Sequence, residues 1–221
     1  MNKTECPVQH KLKPMPPLPP RIAKLPVAEN GYPVLFFVSI IDGKPDFRIM
    51  DPQKLLRCVK GKLCWVCGEP LGVHMSFVIG PMCTVNRISS EPPTHLDCAE
   101  FSAKACPFLT RPHMVRREDD LTEKCKGNVA GEMIERNPGV MAIWTTRSYR
   151  LTKTPKGILF ALGPAETVTW WREGRPATRT EVVEGFITGM PALRDMCDGD
   201  ATDLKALEEA YKEAQKFVPA E

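Results

Sequence analysis

The chain has 221 residues, of which 43% are hydrophobic and 26% are charged, so it is long enough to bury a core without disulfide support. Its formal net charge of +3 neither requires nor excludes a nucleic-acid partner. No apolar run approaches the roughly 20 residues of a membrane helix and no hydrophobic signal segment opens the chain, so we expect a soluble, cytoplasmic protein.

Composition divides the chain into five segments. Residues 1–27 are rich in proline, which removes backbone donors and fixes φ, and this predicts an extended, poorly ordered arm. The next four segments are a hairpin that packs on the main domain, a cysteine-bearing zinc module, a polar linker, and a unit of antiparallel strands with two helices: 28–57, 58–110, 111–137 and 138–221. The predicted fold class is α+β, an antiparallel sheet with C-terminal helices and an embedded zinc module.

Apolar patterning predicts the strands. The apolar run 34–41, the turn signal DGKP at 42–45 and the alternating DFRIM after it predict a β-hairpin. Residues 72–79 alternate in polarity, and MCTVNRI at 82–88 follows a Gly-Pro turn, which predicts a second hairpin. Three more strand-like runs come after residue 139, and their short connections favour an antiparallel meander.

Two helices are predicted at the end of the chain. Thr178 and Glu181 form a capping box that opens the first helix, and we expect it to end near Gly189 because Pro191 follows. The second helix, over about 202–217, has apolar residues at steps of three and four and therefore one buried face.

The nine cysteines include two pairs at the spacing of metal ligands. In CWVCG, Cys64 and Cys67 stand on a tight turn, and in HLDC, His95 and Cys98 stand in the first turn of a helix predicted over about 94–106. Residues three apart on a helix lie on one face, so the second pair can reach one ion. Four Cys and His ligands suit a tetrahedral Zn²⁺ site, and we predict that these four side chains bind zinc.

The order of knuckle, hairpin and helix resembles the treble-clef zinc finger over residues about 60–108, and the resemblance implies a structural zinc. The gap of 27 residues between Cys67 and His95 is longer than in compact treble clefs, which leaves Cys83 or His74 as a substitute ligand. Two other interpretations of the cysteines remain, a redox-active pair and buried core thiols. A redox pair would open a helix, which the Gly-Glu-Pro-Leu-Gly after Cys67 does not do, and the thiols can also be plain core residues.

Taken whole, the chain also resembles uncharacterised accessory proteins of bacteria and their phages. The phrases that carry this resemblance are CWVCGEPLG, FVIGPMCTVNRISSEPPTHLDCAEF, CPFLTRP, RNPGV and EGRPATRTEV. In those proteins a small zinc module is embedded in an α+β domain. The resemblance implies a setting and no particular activity.

One enzymatic alternative is a metal-dependent nuclease of the His-Asn-His type, which is built on a related scaffold. His74, Asn86 and His95 occur in that order, and the resemblance implies His74 as the general base and His95 as a ligand of a catalytic ion. The stretch GVHMS lacks an acidic neighbour for His74. His95 also cannot readily serve a structural zinc and a catalytic ion together. Whether the protein is an enzyme stays open at this point.

Other chemistries lack their motifs: there is no zinc-deaminase pattern, phosphate-binding loop, dinucleotide fingerprint or nucleophile elbow, and no small-molecule cofactor is evident. Basic residues that gather near aromatic ones are candidate nucleic-acid contacts: Arg111, Arg116, Arg117, Arg147 and Arg150. The sequence thus predicts a zinc-containing, non-catalytic intracellular protein that binds nucleic acid or a protein partner.

Overall fold

The predicted α+β class is confirmed. The computed structural model describes residues 15–111, 130 and 138–220, which form five helices and nine strands. All strand pairings in this part of the chain are antiparallel. In chain order the elements are β1 (Val38–Ile41), β2 (Lys44–Met50), α1 (Pro52–Gly61), β3 (Met75–Ile79), α2 (Pro81–Asn86), β4 (Ile88–Ser89), α3 (Leu96–Ala105), β5 (Met141–Thr146), β6 (Tyr149–Thr154), β7 (Gly157–Leu162), β8 (Ala165–Arg172), β9 (Arg175–Pro176), α4 (Arg179–Asp195) and α5 (Ala201–Gln215).

The strands form three sheets. β1 and β2 pair with each other, β3-β5-β8-β9 form a four-stranded sheet, and β4-β7-β6 form a three-stranded sheet. The predicted meander is wrong in one respect, because β5 pairs with β3 and β8 while β6 pairs with β7 in the other sheet. Both larger sheets combine strands from the cysteine segment and from the C-terminal segment. The five segment boundaries drawn from composition stay a prediction.

The N-terminal hairpin forms where its turn signal stands. Asp42 and Gly43 have φ of 50° and 76°, the left-handed pair that a two-residue type I′ turn requires. No predicted element covers α1, which follows at once. The Asp51 side chain caps this helix by accepting hydrogen bonds from the backbone N–H groups of Gln53 and Lys54, and a proline occupies its first turn.

The second predicted hairpin is wrong, because most of MCTVNRI lies in helix α2 and only its last residue lies in β4. Pro81 starts α2 and Arg87 ends it in the left-handed conformation. Met82 and Val85 are buried in the main core. A Cβ on Gly189 of α4 would lie 2.8 Å from the Met82 sulfur, so α2 packs directly on the α4 backbone. Tertiary packing therefore decides this apolar segment in favour of a helix.

Helix α4 opens with the predicted capping box of Thr178 and Glu181, but it continues through Pro191 to Asp195. Proline in a helix removes the hydrogen bond to the carbonyl four residues earlier. That residue is Ile187, which is 61% exposed. The helix nevertheless continues past the lost bond, so the expected end near Gly189 is wrong.

The central strand β5 is buried on both faces. Ala142 and Trp144 point into the main core, where residues of α2, α4 and α5 pack, while Met141 and Ile143 contact buried alanines of α3. This alternation places α3 on one face of the four-stranded sheet and helices α2, α4 and α5 on the opposite face. No helix among the described residues is long and apolar enough to cross a bilayer.

Candidate metal centre

The first half of the site is a tight knuckle. The Cys64 N–H donates to the Glu69 carbonyl at 2.8 Å, and the Gly68 N–H donates to the Cys64 carbonyl at 2.9 Å. Gly68 has φ of +76°, which a residue without a side chain adopts at little cost. These bonds fold the chain back on itself, and both knuckle cysteines are buried.

The second half is the start of α3. His95 is the N-cap residue and Cys98 lies in the first turn, as predicted. The preceding residue anchors this turn on the sheet, since Thr94 and Ser76 of β3 exchange backbone hydrogen bonds of 2.7 and 2.9 Å. The His95 N–H also donates to the Cys64 sulfur at 3.4 Å, which links the helix start to the knuckle.

The structure brings the four predicted ligands together. One ligand atom from each of Cys64, Cys67, His95 and Cys98 lies within 4.8 Å of the others, and no other described group of three or more Cys, His, Asp or Glu side chains does so. His95 Nδ1 is 3.4 Å from the Cys67 sulfur and 4.0 Å from the Cys98 sulfur. Nitrogen and sulfur ligands of a tetrahedral zinc ion lie roughly 3.5 Å apart, so the cluster has the dimensions of such a site.

The imidazole of His95 is held in the tautomer that a metal needs. Its Nε2 lies 3.0 Å from the Pro70 carbonyl oxygen, which accepts only from a protonated nitrogen. The proton therefore resides on Nε2, and the lone pair of Nδ1 faces the thiols. Pro70 belongs to the return strand of the knuckle, where it bridges to Leu63.

Mutual hydrogen bonding and burial shift the pKa values of the Cys64 and Cys98 thiols in opposite directions. The Cys67 and Cys98 thiols donate to the Cys64 sulfur and lower its pKa to about 3, while the same contact raises the pKa of Cys98. A cation among the three sulfurs would compensate the negative charge of thiolates in a buried site. The cluster could thus hold a metal ion.

The other cysteines that the structure describes have different surroundings. Burial raises the pKa of the Cys58 thiol to about 12, which is typical of an inert core cysteine. Cys83 lies on α2 against the main core. Cys106 caps the end of α3 and is half-buried, and the Cys197 thiol donates to the Leu193 carbonyl of α4. Neither Cys83 nor His74 belongs to the metal cluster of the described residues.

Residues 15–27, the part of the arm that the structure describes, pack against the metal centre. Ile22 is fully buried against Cys64, Cys67 and Cys98. This support was not predicted from the sequence, where its only local signal is the apolar pair Ile22 and Leu25, which the structure places on a helical turn.

One arginine of the arm joins the two halves of the centre from outside. Arg21 Nη1 donates to the Asp97 carboxylate of α3 at 2.9 Å, and its Nε lies 3.3 Å from the Glu69 carboxylate of the knuckle. Lys24 also pairs with Glu69 at 2.9 Å. The arm therefore contacts both ligand pairs through side chains next to them in the sequence.

Between the two ligand pairs the chain forms β3, α2 and β4, and the two strands belong to different sheets. This differs from the knuckle, hairpin and helix that carried the resemblance to treble clefs, because the segment expected as the second strand is helical. The relation to treble-clef zinc fingers stays a prediction.

The residues of the nuclease alternative are spread over different surroundings. His74 lies just before β3, and its Nδ1 is 2.6 Å from Oε2 of Glu166 on β8. This hydrogen bond is the main reason why the pKa of Glu166 is lowered. Asn86 ends α2 and its Oδ1 accepts from the Ile88 N–H at 3.0 Å. His95 lies in the thiol cluster with Cys64, Cys67 and Cys98.

The candidate nucleic-acid contacts are dispersed as well. Arg147 Nε donates to Glu166 at 2.6 Å, so a carboxylate already compensates its charge. Arg150 is exposed on β6, and Arg111 is half-buried. Arg116 and Arg117 lie outside the described residues.

Comparison with known proteins adds no relative. No protein family matches the chain, and no curated protein or solved structure shows significant similarity to it.

Proposed function

We propose that the chain is a zinc-stabilised, non-catalytic intracellular protein whose surface binds nucleic acid or a protein partner. One observation carries this proposal: four ligand atoms from two distant parts of the chain lie within 4.8 Å of one another. Four protein ligands complete a tetrahedron, and catalytic zinc sites keep one position open for water or substrate. A closed centre of this kind supports structure rather than catalysis.

The donor set supports zinc among the divalent metals. Three thiolates and one imidazole are soft or borderline ligands, which suit Zn²⁺ and exclude Mg²⁺ and Ca²⁺, since those ions prefer oxygen. Thiols stay available as ligands in a reducing compartment, which agrees with the proposed intracellular location.

Metal analysis of the purified protein tests the centre. We expect about one zinc ion per chain, and a large loss of bound zinc on Cys98→Ser, because a hydroxyl is a poor zinc ligand. The matched control is Cys197→Ser, whose thiol hydrogen-bonds the Leu193 carbonyl outside the cluster. Zinc-free protein, or equal zinc contents in both variants, contradicts the proposal.

The nuclease remains the second candidate, and one contact favours it. Glu166 accepts the Nδ1 proton of His74 and so orients the imidazole with Nε2 free to take a proton from water, which is the arrangement of a general base. Incubation of plasmid DNA with Mg²⁺ or Mn²⁺ tests this candidate. Cleavage that His74→Ala and Glu166→Gln both reduce, but Glu208→Gln does not, supports the enzyme, and no cleavage with either metal rejects it.

A further inference from the structure

Positive charge is concentrated in the first part of the chain. Residues 1–63 contain eleven basic and five acidic residues, whereas the remainder contains nineteen basic and twenty-two acidic residues. The modest net charge of +3 therefore hides a basic N-terminal part and a slightly acidic remainder. Such asymmetry is typical of a chain with one surface for a polyanion.

Within this part, α1 presents its cations on one exposed face. With 3.6 residues per turn, Gln53, Leu56, Arg57 and Lys60 share one side of the helix, and all four are exposed. The opposite side carries the buried Cys58. Asp51, whose carboxylate caps the helix, is the only acid at this element, and α1 itself contains none.

In the part of the chain that the structure describes, no acidic side chain forms an ion pair with Arg57 or Lys60 on this face. Four arginines of the C-terminal part, in contrast, pair with glutamates: Arg147, Arg172, Arg175 and Arg194. The guanidinium carbon of Arg57 lies 5.2 Å from the centre of the Phe36 ring, which holds the side chain in place without neutralising it. The α1 face is thus charged and available for an anion.

We propose that this outer face of α1 binds the phosphate backbone of a nucleic acid. The proposal rests on the partner-binding function above and names both the partner and the surface. Leu56 is the only apolar residue among amide, guanidinium and ammonium groups, and interfaces with nucleic acid are of this polar and basic kind. A protein partner would instead require an apolar centre for its interface.

Binding to labelled nucleic acid tests the surface. The probes are a short mixed-sequence duplex DNA and a single-stranded RNA. Binding to each is measured by fluorescence anisotropy at several salt concentrations. We expect Arg57→Gln/Lys60→Gln to bind roughly tenfold more weakly at low salt. The negative slope of log affinity against log salt should become less steep by roughly 2, because two phosphate contacts are lost. The matched control is Lys205→Gln/Lys212→Gln on α5, which removes the same charge from another exposed surface.

The outcomes separate the surface from the function. A loss confined to the α1 variant supports the proposal, and an equal or larger loss in the α5 variant overturns it while nucleic-acid binding itself stands. A wild-type protein that binds neither probe also overturns the proposal for α1. The zinc content of that protein then shows separately whether the proposed metal centre is correct. Because Arg57 also packs on Phe36, Lys60→Glu is the second variant, since Lys60 makes no such contact. Unchanged zinc content and thermal unfolding verify that each variant is folded.

Discussion

Gly68 is the residue at which the metal knuckle turns, and two physical demands meet there. Its φ is +76°, and a Cβ at this position would lie 2.5 Å from Cδ2 of Phe36. A side chain therefore costs both left-handed backbone strain, about 1–2 kcal/mol, and overpacking against the ring, about 1–3 kcal/mol. We expect Gly68→Ala to lower the free energy of unfolding by about 2–4 kcal/mol in urea titrations.

Gly43 supplies the control for this prediction. It has the same φ of +76°, but nothing lies within 4 Å of its ideal Cβ, so Gly43→Ala adds the backbone strain alone. The difference between the two variants isolates the contact with Phe36. Equal destabilisation in both would show that the ring yields and that close packing at the knuckle is unimportant.

At the same scale, the ligand residues could be predicted because their chemistry is encoded locally. Two residues between Cys64 and Cys67 suit a tight turn, and two between His95 and Cys98 suit one helical turn. The supporting role of Arg21 could not be predicted. Its partners are 48 and 76 residues away, and no local pattern records that separation.

At the scale of elements, α3, α4, α5 and the first hairpin follow from local signals such as caps, turn residues and apolar period. α2 does not, because a short apolar run fits a strand or a helix equally well until its neighbours decide. For α2 the neighbour is the glycine-bearing face of α4, which sequence order places about a hundred residues later. The split of β5 and β6 between two sheets is likewise a matter of long-range pairing.

The stabilisation that the capping box of α4 provides should depend on pH. Hydrogen bonds from Arg175 are the main cause that lowers the pKa of Glu181 from 4.5 to about 2. Because the folded-state pKa is the lower one, the stabilisation is present above pH 4.5 and is lost as the pH falls toward about 2. Glu181→Gln keeps an acceptor for the Thr178 N–H but loses the charge, so we expect it to be about 0.5–1 kcal/mol less stable at pH 7.

Urea unfolding at pH 7 and at pH 3 measures this difference. It should shrink at the lower pH, because the carboxylate of the unfolded chain, with a pKa of 4.5, takes up a proton that the folded state binds only near pH 2. Glu208→Gln is the matched control. Glu208 pairs with Arg194 on the surface and caps no helix, so its removal should change stability by less than about 0.5 kcal/mol. A difference for Glu181→Gln that grows in acid would contradict the assigned role of the charge.

At the scale of the whole molecule, the centre connects three parts that are distant in the chain. Ile22 of the arm, Val66 of the knuckle and Phe101 of α3 surround the ligands in one small core. The other face of α3 packs on β5 of the main sheet. The main core around Trp144 and Phe186 is larger and contains none of the ligands. The two cores therefore need not lose structure together.

This separation predicts that metal removal unfolds the molecule in part. With a chelator, we expect faster amide hydrogen exchange in residues 15–27, in residues 63–71 and at the start of α3. The amides of β5 and α4 should stay protected, because the main core buries its apolar residues without the ion. Cys98→Ser should show the same pattern without chelator and respond little to it, whereas Cys197→Ser should behave as wild type. Loss of protection everywhere would mean that the ion holds the whole fold, and no loss anywhere would mean that the small core is stable without a metal.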